Sequence, residues 1–408
     1  MARRKSKKVQ RTRRSAVPTS AAEPLEQFIS EEEFLPLLAG QANAFFRLGN
    51  FCWRRAARPG AKPTCSRSRR RRTRLESFLD DFSARNNRTF SYFTEIVASV
   101  RGFANAAHAL HHLKRRLTKY GVHADDDPKF SAELDAALDW SNGSIEKLLN
   151  ELYKGAETLK LAITREALGG TSFPSAFARL RLKINVDEED VVDETQRIAE
   201  LATKYLKICD IVDSIGIEKF DDPVRLRHFV TKNCSEEKAR QYETSVHNLQ
   251  SKYDTYIKNT SYEVKDANLR ALRGFISITL HLLEYVTHLV HFYERHENDI
   301  RYEPTKQRIA RVIVKGDVLE HAVNFGLYYS AEFLKRGREP ALAIFPEYTK
   351  AARAGLRRAL ARRAAPAPGD AHPQSCHALR DAAPDVPRRR RLDRRLVAHP
   401  CRHGDRDE

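Results

Sequence analysis

Residues 265–298 read KDANLRALRGFISITLHLLEYVTHLVHFYERHEN. Wound at 100° per residue, Arg270, Ser277, His281, Glu284, His288, His291 and Arg295 all fall in an arc of about 80°. Phe275, Ile276, Leu282, Leu283, Tyr285, Val286, Leu289, Val290, Phe292 and Tyr293 cover roughly 200° of the opposite side. A surface helix carries a narrower apolar stripe. The spacing therefore predicts a helix in the centre of an all-α bundle, with one thin polar stripe.

Residues 86–119 repeat the pattern. Thr94, Arg101, Asn105, His108, His112 and Arg115 share an arc of about 80°, and Ile96, Val100, Phe103, Ala107 and Leu110 fill much of the rest. His108 and His112 stand at i and i+4, the spacing that lets two imidazoles reach one metal. If the two stripes face each other, His281, Glu284, His288 and His291 with His108 and His112 are the candidate ligands of a divalent transition metal. The expectation set against this is a solvated or structural face that needs no cofactor, with a buried polar network as a third reading. Each stripe carries two arginines, and uncompensated cations repel a divalent metal.

Helical spacing continues on both sides of these segments. Ile145, Leu149, Leu152, Ala156, Leu159 and Ile163 form one stripe, and Val191, Ile198, Leu201, Tyr205, Ile208 and Val212 form another. Ala239, Tyr242, Val246, Leu249, Tyr253 and Tyr256 alternate three and four, as coiled-coil seams do. Breakers separate the stripes: Gly121, Asp127-Pro128, Gly169-Gly170, Pro174, Asp222-Pro223, Asn259–Ser261 and Pro304. Leu180–Val186 is the sole weak strand candidate. The prediction is roughly seven to nine helices in a mostly antiparallel bundle with long, coiled-coil-like members. Val100-Arg101-Gly102-Phe103 and Leu272-Arg273-Gly274-Phe275 form a short internal echo, too short to establish duplication.

The chain has 72 Lys+Arg against 54 Asp+Glu, a net charge of +18. That excess sits at the ends. Residues 1–74 hold 19 basic and 5 acidic residues, residues 351–408 hold 14 and 7, and residues 75–350 hold 39 and 42. The expected organisation is a disordered basic arm (1–24), a helical segment (25–51), an Arg-rich irregular segment (52–74), an all-α body (75–350) and a disordered Arg/Ala/Pro-rich tail (351–408). The tail has 14 Arg but no Lys, no aromatic and no Ile. Arg, Ala, Pro and Gly share GC-rich codons, so a shifted reading frame would produce this composition there and in 52–74; a genuine low-complexity basic tail is the alternative.

Chemistry-bearing motifs are scarce. The six cysteines form no Cys-x-x-Cys, and the His/Cys tract from His372 to His403 matches no closed zinc pattern. The chain contains no P-loop, dinucleotide fingerprint, nucleophile elbow or His-Glu-x-x-His. Glu-x-x-His is absent too, against a ferritin-like di-iron bundle in its usual form. No uncharged apolar run reaches about 18 residues, so no membrane span is expected. Residues 1–20 lack the apolar stretch of a secretory signal. The expectation is a cytoplasmic, non-enzymatic scaffold or interaction protein that pairs with a protein partner or itself through helical seams. A metal-binding bundle using the His/Glu stripe is the alternative. Nucleic-acid or anionic-surface binding through the basic ends is the third.

Overall fold

In a computed structural model of the chain, the described residues are 29–56, 66–123, 126–163, 194–296 and 300–364. The chain divides into two units, Met1–Arg357 and Arg358–Glu408. In the second, residues 358–364 are helical.

The helices follow in order: α1 Glu31–Ala56, α2 Ser66–Asp81, α3 Ser91–Arg116, α4 Pro128–Thr158, α5 Glu194–Ile215, α6 Pro223–Asn233, α7 Glu236–Tyr256, α8 Ser261–Lys265, α9 Ala267–Glu294, α10 Glu303–Val312, α11 Lys315–Glu320 and α12 Tyr328–Ala364. Short 3₁₀ turns lie at Ala84–Asn86 and Leu117–Tyr120, and a π-helical stretch, His321–Leu327, joins α11 to α12. Among the described residues there is no strand, and the fold is an all-α helical bundle. The strand candidate Leu180–Val186, the arm 1–24 and the tail beyond Ala364 lie outside the described residues.

Several helix starts are written locally. Asp127 accepts a hydrogen bond from the Phe130 amide at 3.0 Å, and Pro128 follows it at the first helical position. Asp222 and Pro223 open α6 in the same way, and Asp266 caps α9. Thr260 caps α8 while the Glu263 carboxylate accepts from the Asn259 amide. Gly121, with φ of 81°, closes the turn after α3 in the left-handed region.

Three boundaries differ from the sequence reading. Helix α1 runs through Cys52 to Ala56, and α2 begins at Ser66, inside the segment expected to be irregular. Helix α12 continues past 351 to Ala364. The physical reason is that arginine and alanine are good helix formers. A lack of apolar residues removes the packing face without forbidding the helix.

Helix α9 is central. It packs against α3, α7, α8 and the π stretch. It is long and apolar enough to cross a membrane, and 78% of its most apolar window is buried inside the protein. Burial in the bundle accounts for that apolarity. The seam of α7 is used within the chain: Ala239, Val246, Leu249 and Tyr253 are buried, and α7 lies antiparallel to α9. The Tyr253 hydroxyl donates to the Leu269 carbonyl at 3.0 Å, and Arg273 pairs with Asp254 at 3.0 Å. Tyr256, the last seam position, is exposed.

The two echoed glycines are not equivalent. A Cβ on Gly274 would overlap the Tyr120 carbonyl oxygen, whereas one on Gly102 would meet nothing within 4 Å. Only Gly274 is required, because there the turn after α3 lies directly on α9.

Candidate functional site

Helices α3 and α9 run antiparallel, so pairings climb one helix as they descend the other. Ser99 meets His296, Phe103 meets Phe292 with ring centroids 4.9 Å apart, His112 meets His281 at 4.4 Å, and Tyr120 reaches His281 and Gly274. The two polar stripes thus do face each other along part of their length. The interface has an imidazole cluster at one end and a buried ion-pair cluster at the other.

At the first end, His281 is only 9% exposed. Its Nδ1 lies 2.9 Å from Glu284 Oε2, and its Nε2 lies 3.4 Å from the Tyr120 hydroxyl. A carboxylate accepts, so the Nδ1–H donates to Glu284. Burial pushes the Glu284 carboxyl up, but the His281 hydrogen bond and the neighbouring imidazoles outweigh it and leave it below its usual range. His112 is pushed down to about 4, first by burial and then by His281 and Arg116. It therefore lies beside His281, its ring tilted by 46°, as a neutral imidazole near pH 7.

At the other end, Glu95 is 1% exposed. Its carboxylate accepts from Arg85 Nε at 2.8 Å and from Arg295 Nε at 2.9 Å. Burial raises its pKa, and the two guanidinium groups more than reverse that. The buried His296 follows, with Nε2 3.3 Å from the Ser99 hydroxyl; burial drives its pKa down to about 3. Nearby, the buried hydroxyls of Ser91 and Thr305 bond at 2.8 Å, tying α10 to α3.

The sequence-predicted ligands separate into three places. His281, Glu284 and His112 come together, with His288 half-buried and close enough to lower the Glu284 pKa. His108 is exposed, one turn away from His112 on α3. His291 turns to α7, where its Nδ1 lies 2.8 Å from Glu236 Oε2. There the Glu294 carboxylate accepts from the Glu236 amide at 2.9 Å, so α9 clasps the N-terminus of α7. Among the described residues, no group of three or more His, Cys, Asp or Glu is placed to hold a metal ion. The ring nitrogens of His281 both already face protein partners.

The stripe on α9, expected to be a solvated or structural face, is solvated only in part. Ser277 and His281 are buried, and the Arg295 side chain is 13% exposed. The arginines argue for solvation only while their partners are invisible. Arg295 meets Glu95, Arg101 meets Glu76 at 2.5 Å, and Arg270 donates to the Glu263 carbonyl at 2.8 Å. The stripe is a bonded structural face, part buried and part exposed: Glu284, His288 and His291 are half-buried and Arg270 is exposed.

Sequence reasoning missed Glu95, His296 and Tyr120. A usable signal existed for Glu95: it is the lone acid in the apolar run from Phe90 to Val100. Compared with protein families, curated proteins and solved structures, the chain has no significant match.

Proposed function

We propose that the chain is a non-enzymatic, cytoplasmic helical scaffold or protein-interaction protein. One observation carries this reading: the histidines and the buried carboxylate at the centre of the bundle are bonded to neighbouring side chains. His281 is held by Glu284 and Tyr120, His291 by Glu236, and Glu95 by Arg85 and Arg295. A catalytic group needs a reacting atom within hydrogen-bond reach, and it is positioned beside space for that atom. Here each group is positioned beside its protein partner, and the pairing fixes how α3, α7 and α9 pack. Long helices locked in this way present a stable outer surface, on which exposed Ile211, Val224 and Leu342 are available to a partner.

The test is cross-linking mass spectrometry on the full chain in its source cells, alongside metal analysis of the purified, tag-free protein. The expected result is a reproducible set of protein–protein cross-links on one exposed face, retained in His281→Gln. Stoichiometric transition metal that disappears in His281→Gln, with no reproducible protein cross-link, would overturn the reading in favour of a metal protein.

A further inference from the structure

A second polar site lies away from the α3–α9 interface. Helices α3, α4 and α10 meet around a recess of about 470 Å³, within the range of small-molecule pockets. Helix α4 lines it with Lys147, Glu151 and Lys154, one face at i, i+4 and i+7. Helix α10 adds Arg308 and Arg311 at i and i+3, and α3 adds the buried Tyr92. Four cations thus surround the recess against one carboxylate.

That carboxylate is fully engaged. Glu151 Oε2 accepts from the Tyr92 hydroxyl at 2.8 Å and Oε1 accepts from Lys154 at 2.6 Å. Lys147 and Arg311 form no ion pair among the described residues. The Arg308 guanidinium lies 3.5 Å from the centroid of the Tyr92 ring, a contact that restrains the long side chain at the recess. Burial and the adjacent Glu151 carboxylate push the Tyr92 hydroxyl well above its ordinary pKa, so it stays protonated as a donor.

Like charges gathered on two facing helices repel in the empty site. An anion relieves that repulsion and gains charge-assisted hydrogen bonds. The arginine fork matches phosphate bidentately, and lysine serves as a mobile point charge. The cations stand in two rows, one on each helix, so the recess suits a ligand with two phosphate groups better than a single carboxylate. The lysines and arginines are exposed, which leaves the entrance open.

We propose that this recess binds the phosphate groups of a soluble, diphosphate-bearing small molecule, with Arg308 and Arg311 on one side and Lys147 and Lys154 on the other. The site is independent of the scaffold reading and uses none of its residues.

The experiment titrates pyrophosphate into the full chain by calorimetry and follows its melting temperature. Three proteins are compared: wild type, Arg308→Ala/Arg311→Ala, and Lys207→Ala/Lys265→Ala. The last removes the same charge from exposed positions elsewhere, which controls for anion binding by the basic ends. The expected result is that the arginine pair weakens binding by roughly tenfold or more and removes the pyrophosphate-induced rise in melting temperature. The lysine pair should change neither. Equal affinity in all three proteins, or equal losses in both variants, would overturn the site. So would binding confined to phosphatidylcholine vesicles that carry phosphatidylinositol phosphate, which would assign the cations to a lipid headgroup instead. Because Arg308 and Arg311 are exposed, the variant is expected to fold, and its unliganded melt verifies this.

Discussion

The α3–α9 interface and the α4–α10 recess use the same side-chain chemistry to opposite ends. Both bring arginines and a glutamate together across helices distant in sequence. At the interface the buried charge meets its complement: Glu95 sits between Arg85 and Arg295 and is 1% exposed. Around the recess, Glu151 is taken by Tyr92 and Lys154, and Lys147 and Arg311 are left over. A polar network that satisfies itself rigidifies a core, whereas one with surplus charge on an open surface is suited to a ligand. The distinction lies in the accounting of partners; residue type does not decide it.

The sharpest way to break this comparison is to remove one charge from each region. Glu95→Ala leaves Arg85 and Arg295 without their shared buried carboxylate, and the expected cost is on the order of 3–5 kcal/mol. Arg311→Ala should change stability by no more than about 0.5 kcal/mol. Urea denaturation of both variants gives the answer. Similar costs would show that the interface network is not what holds α3 to α9.

A steric counterpart tests the packing beneath the network. In Gly274→Ala the new methyl enters the Tyr120 carbonyl, so the turn after α3 must move and the Tyr120–His281 contact opens. The expected loss is about 3 kcal/mol. Gly102→Ala, the same change in the echoed motif, should be neutral or stabilising by up to about 1 kcal/mol, since it gains helix propensity and meets nothing. Equal destabilisation by the two variants would contradict the register described above.

Acid should separate the two regions by a smaller margin. His296 is held neutral, with its pKa pushed down to about 3 by burial, against an ordinary value of 6.5. The unfolded chain therefore binds the extra proton first, and stability falls as pH drops from about 6.5 toward 3. His112, with its pKa near 4, adds a part that partial exposure to solvent reduces. Glu95, held low, contributes stability present above its unfolded pKa and lost below about 4.5. A total loss of about 2 kcal/mol between pH 7 and pH 4.5 is expected from the histidines. His296→Phe should flatten that slope. An unchanged slope in His296→Phe would mean that His296 is not held neutral in the folded state.

The central place of α9 was legible in its sequence. An apolar arc that wide has no stable surface position, and nothing beyond the 3.6-residue period is needed to find it. The caps at Asp127 and Asp222 were legible in the same way, because a helix start is decided by neighbours in the chain. The α7 seam was legible as a seam, but its partner was not; Leu249 and Tyr253 would suit another chain as well as α9. Helices α1, α2 and α12 extend into 52–74 and past 351 because low hydrophobicity there removes a packing face, while arginine and alanine keep their helix propensity.

The sequence by itself determined the all-α class, the position of the long apolar helix and the grouping of His281, Glu284, His288 and His291 on one face. Each follows from local geometry, in which spacing along the chain fixes direction around the helix. Tertiary structure alone decided that His281 meets Tyr120 and His112, that His291 turns to Glu236, and that Glu95 is wedged between two arginines. It also gathered Tyr92, Lys147, Lys154, Arg308 and Arg311 from three helices into one recess. Those outcomes depend on which helices become neighbours and in what register. A helical period specifies a face but carries no record of what the face will meet.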